Sequence, residues 1–173
     1  MHYDFQVLMV CTGNICRSPT AEAVLRKLLA ERGLHAAIGV DSAGTHALAG
    51  SPPDPRSVAA ASRRGYELSC LRARQFVRGD FERFNCIVAM DADNLRWLHA
   101  QQSAHAGQET QTLQKAQLLM AYGRPPRVAQ DVPDPYYGAP EGFEQVLTLI
   151  EDACQGLLLS LVEPRQARGH PSQ

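Results

Sequence analysis

No Cys-x-x-Cys pair occurs in this chain, and its six histidines form no cluster with its cysteines. Both absences argue against a structural zinc site, which wants closely spaced thiolates or imidazoles. We therefore expect no metal and no cofactor. Excess charge of either sign is also missing: 17 basic residues against 18 acidic ones leave a net charge of −1. Without a basic field there is no general reason to expect nucleic acid or an anionic membrane as partner. Met1 to Gln6 has no basic region followed by a long apolar run, and Phe5 to Val10 is far too short to span a bilayer. No targeting segment is expected. Cys11, Cys16, Cys70, Cys86 and Cys154 make five, an odd count that argues against a secreted disulfide framework. A reducing cytoplasmic setting is the expected location, and there a free cysteine can serve as a reagent.

What remains is a chain of 173 residues, 45% hydrophobic, with no internal repeat, linker or low-complexity segment. That is enough for one domain with a real core. We expect this domain over residues 1–162, with a frayed polar tail over 163–173. Phe5 to Val10 is a short apolar run of strand formers. After a turn-like stretch, Ser18-Pro19 reads as a helix start with Ser18 at the cap, and Gly33 as its stop. Ala37 to Asp41 predicts a second strand, Pro55 to about Gly65 a helix, Cys86 to Met90 a third strand and Asp91 to His99 a helix. Gln117 to Tyr122 is a weaker fourth strand, with helical composition also possible. Phe143 to Val162 carries Phe143, Val146, Leu147, Ile150, Leu157 and Leu161 roughly on one helical stripe. Short apolar strands alternating with helices predict a parallel sheet covered on both faces. Such sheets hold their sites at the carboxyl ends of the strands, where this pattern places Cys11, Asp41-Ser42 and Asp91.

The informative segment is Val10-Cys11-Thr12-Gly13-Asn14-Ile15-Cys16-Arg17-Ser18. A cysteine and an arginine flank five residues between a strand and a helix. Loop amides ahead of a helix point inward and form an anion nest, and the helix dipole adds to the field. Arg17 can meet two phosphoryl oxygens with its fork. The field that binds phosphate also stabilises a thiolate. Gly13 and Asn14 are residue types that tolerate positive φ, which a tight cradle requires. A lone cysteine would read as a small buried hydrophobe; this spacing reads as a nucleophile. A nucleotide P-loop would want Gly-Lys-Ser or Gly-Lys-Thr after a longer loop, which is absent. A leaving aryl oxygen needs a proton as well. Asp134 offers an acid in a loop constrained by Pro133 and Pro135, and Tyr136 and Tyr137 follow as walls for an aromatic substrate; taken alone, the segment reads instead as a surface turn with a solvated aspartate.

Together VCTGNICRSPTAE, DSAGT at 41–45, PDPRS at 53–57, ARQF at 73–76, MDADNL at 90–95 and DPYYG at 134–138 resemble the low-molecular-weight protein-tyrosine phosphatases, over about residues 5–160. The resemblance implies a flavodoxin-like three-layer α/β fold with a four-stranded parallel sheet. It implies phosphotyrosine hydrolysis through a cysteinyl-phosphate. Cys11 is then the nucleophile, Arg17 the phosphate clamp and Asp134 the general acid and later base. Thr12, Gly13, Asn14, Ile15 and Cys16 form the cradle, with Ser18 stabilising the thiolate and Ser42 helping Asn14. Cys16 matches a second cysteine that can pair with the nucleophile under oxidation. The implied partners are phosphotyrosine proteins, with inorganic phosphate or other oxyanions in the cradle.

Two positions depart from the family pattern. Leu71 stands where members often have a histidine in the Asn–Ser network, so support of the cradle is looser or made another way. The loop 45–50, with Leu48 facing the cleft, lacks the aromatic residue that commonly forms its other wall. This loop resembles that of bacterial members acting on tyrosine autokinases, whereas DPYYG resembles the general form, which leaves substrate choice open. Asp91 reads as a helix cap ahead of a cradle support, Asp54 and Arg56 as a structural ion pair, and Cys70, Cys86 and Cys154 as packing residues. His46 reads as a solvated loop residue and Trp97 as core or helix surface. The rivals are an arsenate reductase on the same scaffold, which needs a close pair of later cysteines, and a non-catalytic anion-binding module, which needs neither thiolate nor acid.

Overall fold

Phe5–Cys11 forms β1, and Val7 to Val10 within it are wholly buried. Its side chains alternate between two cores. Val7, Met9 and Cys11 join one, and Leu8 and Val10 join the other. A strand buried on both faces has no polar side to show, which is why it reads as an unbroken apolar run. β2 (Ile38–Gly44) and β3 (Cys86–Ala89) flank it, and β4 (Ala116–Leu118) completes a parallel sheet in the order β2-β1-β3-β4. This computed structural model describes residues 3–105, 116–124 and 131–162; the tail expected over 163–173 lies outside them.

On one face, α1 (Arg17–Glu31) and α5 (Glu141–Val162) pack over Val7 and Met9, and α2 (Pro55–Arg63) reaches the same core through Ala60. On the other, α4 (Ala92–His105) and the single turn α3 (Asp80–Arg83) cover Leu8 and Val10 through Leu98 and Phe81. This is the expected flavodoxin-like α/β arrangement. The length and composition of α5 would suffice to cross a membrane. Its stripe of Phe143, Val146, Leu147, Ile150 and Leu157 is instead buried in the core. Glu144 and Glu151, off that stripe, pair with Arg64, the residue just past α2.

Sheet order positions the site. From β1 the chain crosses to β2 on one side, while β3 lies on the other. The loops leaving β1 and β3 therefore part at their carboxyl ends and open a crevice.

Several elements differ from expectation. β2 runs on to Gly44, so Asp41 and Ser42 lie within the strand rather than at its end. It continues because Gly44 is held from both sides, by Cys11 of β1 and by the segment at Arg74-Gln75. α1 begins at Arg17, with Cys16 at the cap position and no side-chain cap. Ser18 is not the cap, because its hydroxyl is committed to the site. α4 continues past His99 to His105. The fourth strand is only Ala116–Leu118 and passes into a 3-10 turn over Leu119–Tyr122, so both readings of that segment were half right.

Candidate active site

Cys11 is the last residue of β1, level with Gly44 of β2. The loop beyond it folds back over its sulfur. The Asn14 N–H donates to Cys11 Sγ at 3.3 Å, and Ser18 Oγ lies 3.0 Å from the same atom. Asn14 makes the fold-back possible: its φ of 55° is the only positive value at a non-glycine among the described residues. Gly13 has no positive φ, contrary to expectation. The glycine the cradle needs is Gly44, where a Cβ would stand 2.6 Å from the Thr12 carbonyl oxygen and 3.1 Å from the Asn14 nitrogen.

The Asn14 side chain uses every hydrogen-bonding group it owns. Nδ2 donates to Ser18 Oγ at 2.9 Å and to Ser42 Oγ at 2.8 Å, and Oδ1 accepts from the Arg74 N–H at 2.8 Å. Ser42 Oγ in turn donates to Glu22 Oε2 at 2.6 Å. Ser18 already accepts from Asn14, so its own proton goes either to Cys11 Sγ or to the Ala43 carbonyl at 3.4 Å. The nearer sulfur is the better acceptor once it is an anion. Leu71 takes no part in this network; it packs beside Ala23, Ala61 and Leu68. Glu22 closes the chain of hydrogen bonds instead, so the support is made another way.

Arg17 opens α1 and is almost wholly buried. Nη1 donates to Asp91 Oδ2 at 2.5 Å and to the Val132 carbonyl at 3.2 Å, and Nη2 donates to Asp134 Oδ2 at 3.1 Å. Burial works against the charge, but Cys11, Asp91 and Asp134 outweigh it and hold the guanidinium protonated beyond its ordinary range. Asp91 serves both roles weighed from the sequence: Oδ1 caps α4 by accepting from the Asn94 N–H at 2.7 Å, while Oδ2 holds Arg17. A cleft of about 360 Å³ opens here, lined by Thr12, Arg17, Asp91, Asp93, Asp131 and Asp134 among others.

The other named residues divide. Thr12 is exposed and accepts from Asn94 Nδ2 at 3.1 Å, Ile15 is half-buried, and Cys16 is buried. Burial pushes the Cys16 thiol up to about 12. Tyr136 and Tyr137 meet edge to face at 5.0 Å, and Tyr137 is 92% exposed. Leu48 is 79% exposed on a loop whose start is tied to the cradle by Thr45 N–H to the Cys11 carbonyl and His46 N–H to the Thr12 carbonyl. His46 is exposed, and its ring stands edge-on to Trp97 at 6.1 Å. Cys70 is exposed, which corrects its reading as a packing residue; Cys154 is buried as expected and Cys86 partly so. Among the described residues no group of three or more His, Cys, Asp or Glu could hold a metal ion.

Glu22, Arg74 and Asn94 are the site residues that sequence reasoning missed. One signal was available: Ser18, Glu22 and Arg26 recur every four positions on one helical face, and Glu22 pairs with Arg26 at 2.7 Å. Arg74 and Asn94 sit inside motifs already noted, ARQF and MDADNL, without a role attached.

This arrangement has close relatives. Residues 6–167 match the family described as low molecular weight phosphotyrosine protein phosphatase. A low molecular weight protein-tyrosine-phosphatase of Streptomyces coelicolor is 42% identical over 95% of this chain and 98% of its own. The human low molecular weight phosphotyrosine protein phosphatase is 39% identical over 88% and 92%. The crystal structure of YfkJ from Bacillus subtilis superposes with a TM-score of 0.85 at 36% identity, covering 95% of this chain and 99% of that one.

Proposed function

The chain belongs to the low molecular weight phosphotyrosine protein phosphatase family, and on that premise we propose that it hydrolyses phosphotyrosine in proteins through a phosphate ester on Cys11. The Cys11 thiolate attacks phosphorus and the bond to the tyrosyl oxygen breaks. Asp134, as the acid, gives its proton to that oxygen, and tyrosine leaves. Asp134, now a carboxylate, takes a proton from water as the water attacks phosphorus. The phosphorus–sulfur bond breaks, sulfur departs as thiolate, and inorganic phosphate is released. Ser18 and the Asn14 N–H serve the sulfur both when it attacks and when it leaves. Arg17 and the loop amides meet the phosphoryl oxygens. An incoming phosphoryl group competes with Asp134 for Nη2 of Arg17, and winning that contact releases the acid for the leaving oxygen.

One observation carries the reading: a cysteine sulfur that accepts from the Asn14 N–H and lies 3.0 Å from the Ser18 hydroxyl stands in the same cradle as a buried arginine held between two carboxylates. A binding module needs neither the sulfur nor the acid. Arsenate reduction would need a later cysteine near Cys11. Cys86 lies at the amino end of β3, level with Val7, four residues from the level of Cys11 and so ~13 Å along the sheet. Tyr136 and Tyr137, which follow Asp134 directly, and the exposed Leu48 are offered as walls of the cleft and support an aromatic phosphate as substrate, and the loop bearing Leu48 supports a bacterial tyrosine autokinase as its bearer. None of the five cysteines is in a disulfide, which supports a reducing cytoplasmic setting for this single domain.

Trapping decides the chemistry. Acid quench during turnover should leave phosphate on Cys11, and Cys11→Ser should lose turnover while still binding phosphate. Asp134→Ala should lower kcat/KM, which reports only the steps up to loss of the leaving group, by about 10²–10⁴ for phenyl phosphate and far less for an activated aryl phosphate. Phosphate on any other residue, or equal losses on both substrates, would overturn the nucleophile or the acid respectively.

A further inference from the structure

Arg56, outside the catalytic set, sits where three segments meet. Its Nε and Nη2 grip the two oxygens of Asp54 at 3.0 and 2.8 Å, a fork-to-fork pair. Asp54 is buried and anchored: its N–H donates to the Ile15 carbonyl of the cradle at 2.8 Å, and its Oδ1 caps α2 through the Arg56 N–H. The paired guanidinium then lies over two rings, 4.6 Å from the centroid of Phe143 and 5.5 Å from that of Tyr136. Phe143 is buried at the start of α5. Tyr136 belongs to the acid loop, and its N–H donates to Asp134 Oδ1 at 3.1 Å.

Pro135 is buried and lines a small cavity with Phe143 and Val146; the exposed residues on either side of it have few other holds. Val132 is tied to the Met90 carbonyl and the Ala139 and Pro140 carbonyls accept from N–H groups of α5, but among the described residues no backbone–backbone hydrogen bond joins Pro133 to Gly138 to anything outside that segment. The Asp134 side chain reaches Arg17, and the Tyr136 ring reaches Arg56. These two arginines are not equivalent. Substrate phosphate competes for Arg17 and so removes the first hold at the moment the acid is needed. Arg56 is bound to its own carboxylate and is not given up.

We propose that Arg56 is a positioning residue for Asp134: it holds the acid loop through the ring of Tyr136 while phosphate occupies Arg17. This rests on Asp134 being the general acid. A forked cation is required, because the same group must lock onto Asp54 and stand over a ring.

A merely structural Arg56 would slow all substrates alike. A positioning Arg56 matters only where the acid matters. Arg56→Gln should lower kcat/KM, which reports only the steps up to loss of the leaving group, about tenfold for phenyl phosphate, below the roughly 10²-fold that a 1 Å misplacement can cost. An activated aryl phosphate, whose leaving group needs no proton, should be nearly unaffected. Arg56→Lys should fall between, having the charge without the fork. In an Asp134→Ala background, Arg56→Gln should cost nothing further on phenyl phosphate. Tyr136→Leu leaves the Asp54–Arg56 pair whole and should give the same selective loss in kcat/KM, which keeps the test open if Arg56→Gln folds poorly. Equal losses on both substrates, or a full additional loss in the Asp134→Ala background, would overturn the role of Arg56 while leaving Asp134 as the acid. If Asp134→Ala itself showed no dependence on the leaving group, the acid assignment and this role would fall together.

Discussion

Asp91 joins two jobs in one carboxylate, and two substitutions separate them. Its Oδ1 caps α4 and its Oδ2 holds the buried Arg17. Alanine removes both. The cap contributes about 1 kcal/mol, and a hydrogen bond to a charged group about 1.5–3 kcal/mol. Arg17 keeps Asp134 and the Val132 carbonyl, so the loss should stay near the lower end of the ~3–5 kcal/mol of a fully stranded buried charge. We expect Asp91→Ala to cost about 3 kcal/mol. Asparagine is as good a cap and still accepts one hydrogen bond, so Asp91→Asn should cost about 1 kcal/mol less. Urea unfolding followed by Trp97 fluorescence suits the test, since the only tryptophan lies on α4 itself. Phosphate inhibition adds a second readout with opposing contributions. Losing a negative charge favours an anion, whereas losing the partner that orients Arg17 lets its fork turn toward Asp134. We expect orientation to win and phosphate to bind more weakly to both variants. Equal destabilisation by alanine and asparagine would refute the cap, and tighter phosphate binding by Asp91→Asn would refute the orienting role.

Cys16 and Glu22 allow further tests. With its thiol pushed up to about 12, Cys16 should resist iodoacetate near neutral pH while Cys11 is alkylated and phosphate protects it; peptide mapping that finds Cys16 labelled first would contradict this. After peroxide, we expect a Cys11–Cys16 link that dithiothreitol reverses and poorer recovery of Cys16→Ser, because the sulfenic acid is no longer intercepted. Full recovery of the variant would remove Cys16 from that role. Burial raises the carboxyl of Glu22 above its ordinary range, against the pull of Arg26 and Ser42. The unfolded chain then releases that proton first, at about pH 4.3. Between that point and the raised native value the unfolded state binds fewer protons, so this group's contribution to stability falls as pH rises. The stability of the wild type relative to Glu22→Gln should therefore decline over that interval in urea titrations, and a constant difference would refute it.

The cradle was legible because its chemistry is contiguous: strand, loop, arginine and helix follow one another from Val10 to Ser18. β1 and β3 were legible because full burial leaves unbroken apolar runs. The end of β2 was not, since Ser42-Ala43-Gly44 are poor strand formers held in the ladder by the segment at Arg74. α3 is a single turn, too short for any periodicity to declare it. The far end of α4 is polar, so nothing apolar marks it as helix. From the sequence Arg56 reads only as the ion-pair partner of Asp54, because its ring partners, Tyr136 and Phe143, lie some eighty positions on.

Glu22 was the least legible and constrains the most. A glutamate within a helix reads as solvated, yet this one is buried beside Ser42. A carboxylate can only accept, so Ser42 must donate to it and can take the Asn14 amide only as an acceptor. The Arg74 N–H likewise fixes Asn14 Oδ1 as the acceptor end of that side chain. Both Nδ2 protons are then committed, one to Ser42 and one to Ser18. Ser18 has received a donor and must give its own proton away, with Cys11 Sγ the nearer acceptor. Each link is a rotatable or flippable group that alone could point either way. With Glu22 ionised and paired to Arg26 at one end, the chain has a single direction, and it ends at the sulfur. A histidine at position 71 is one way to impose such an order; here a buried glutamate four residues past Ser18, paired with Arg26 four residues further on, imposes it from within α1.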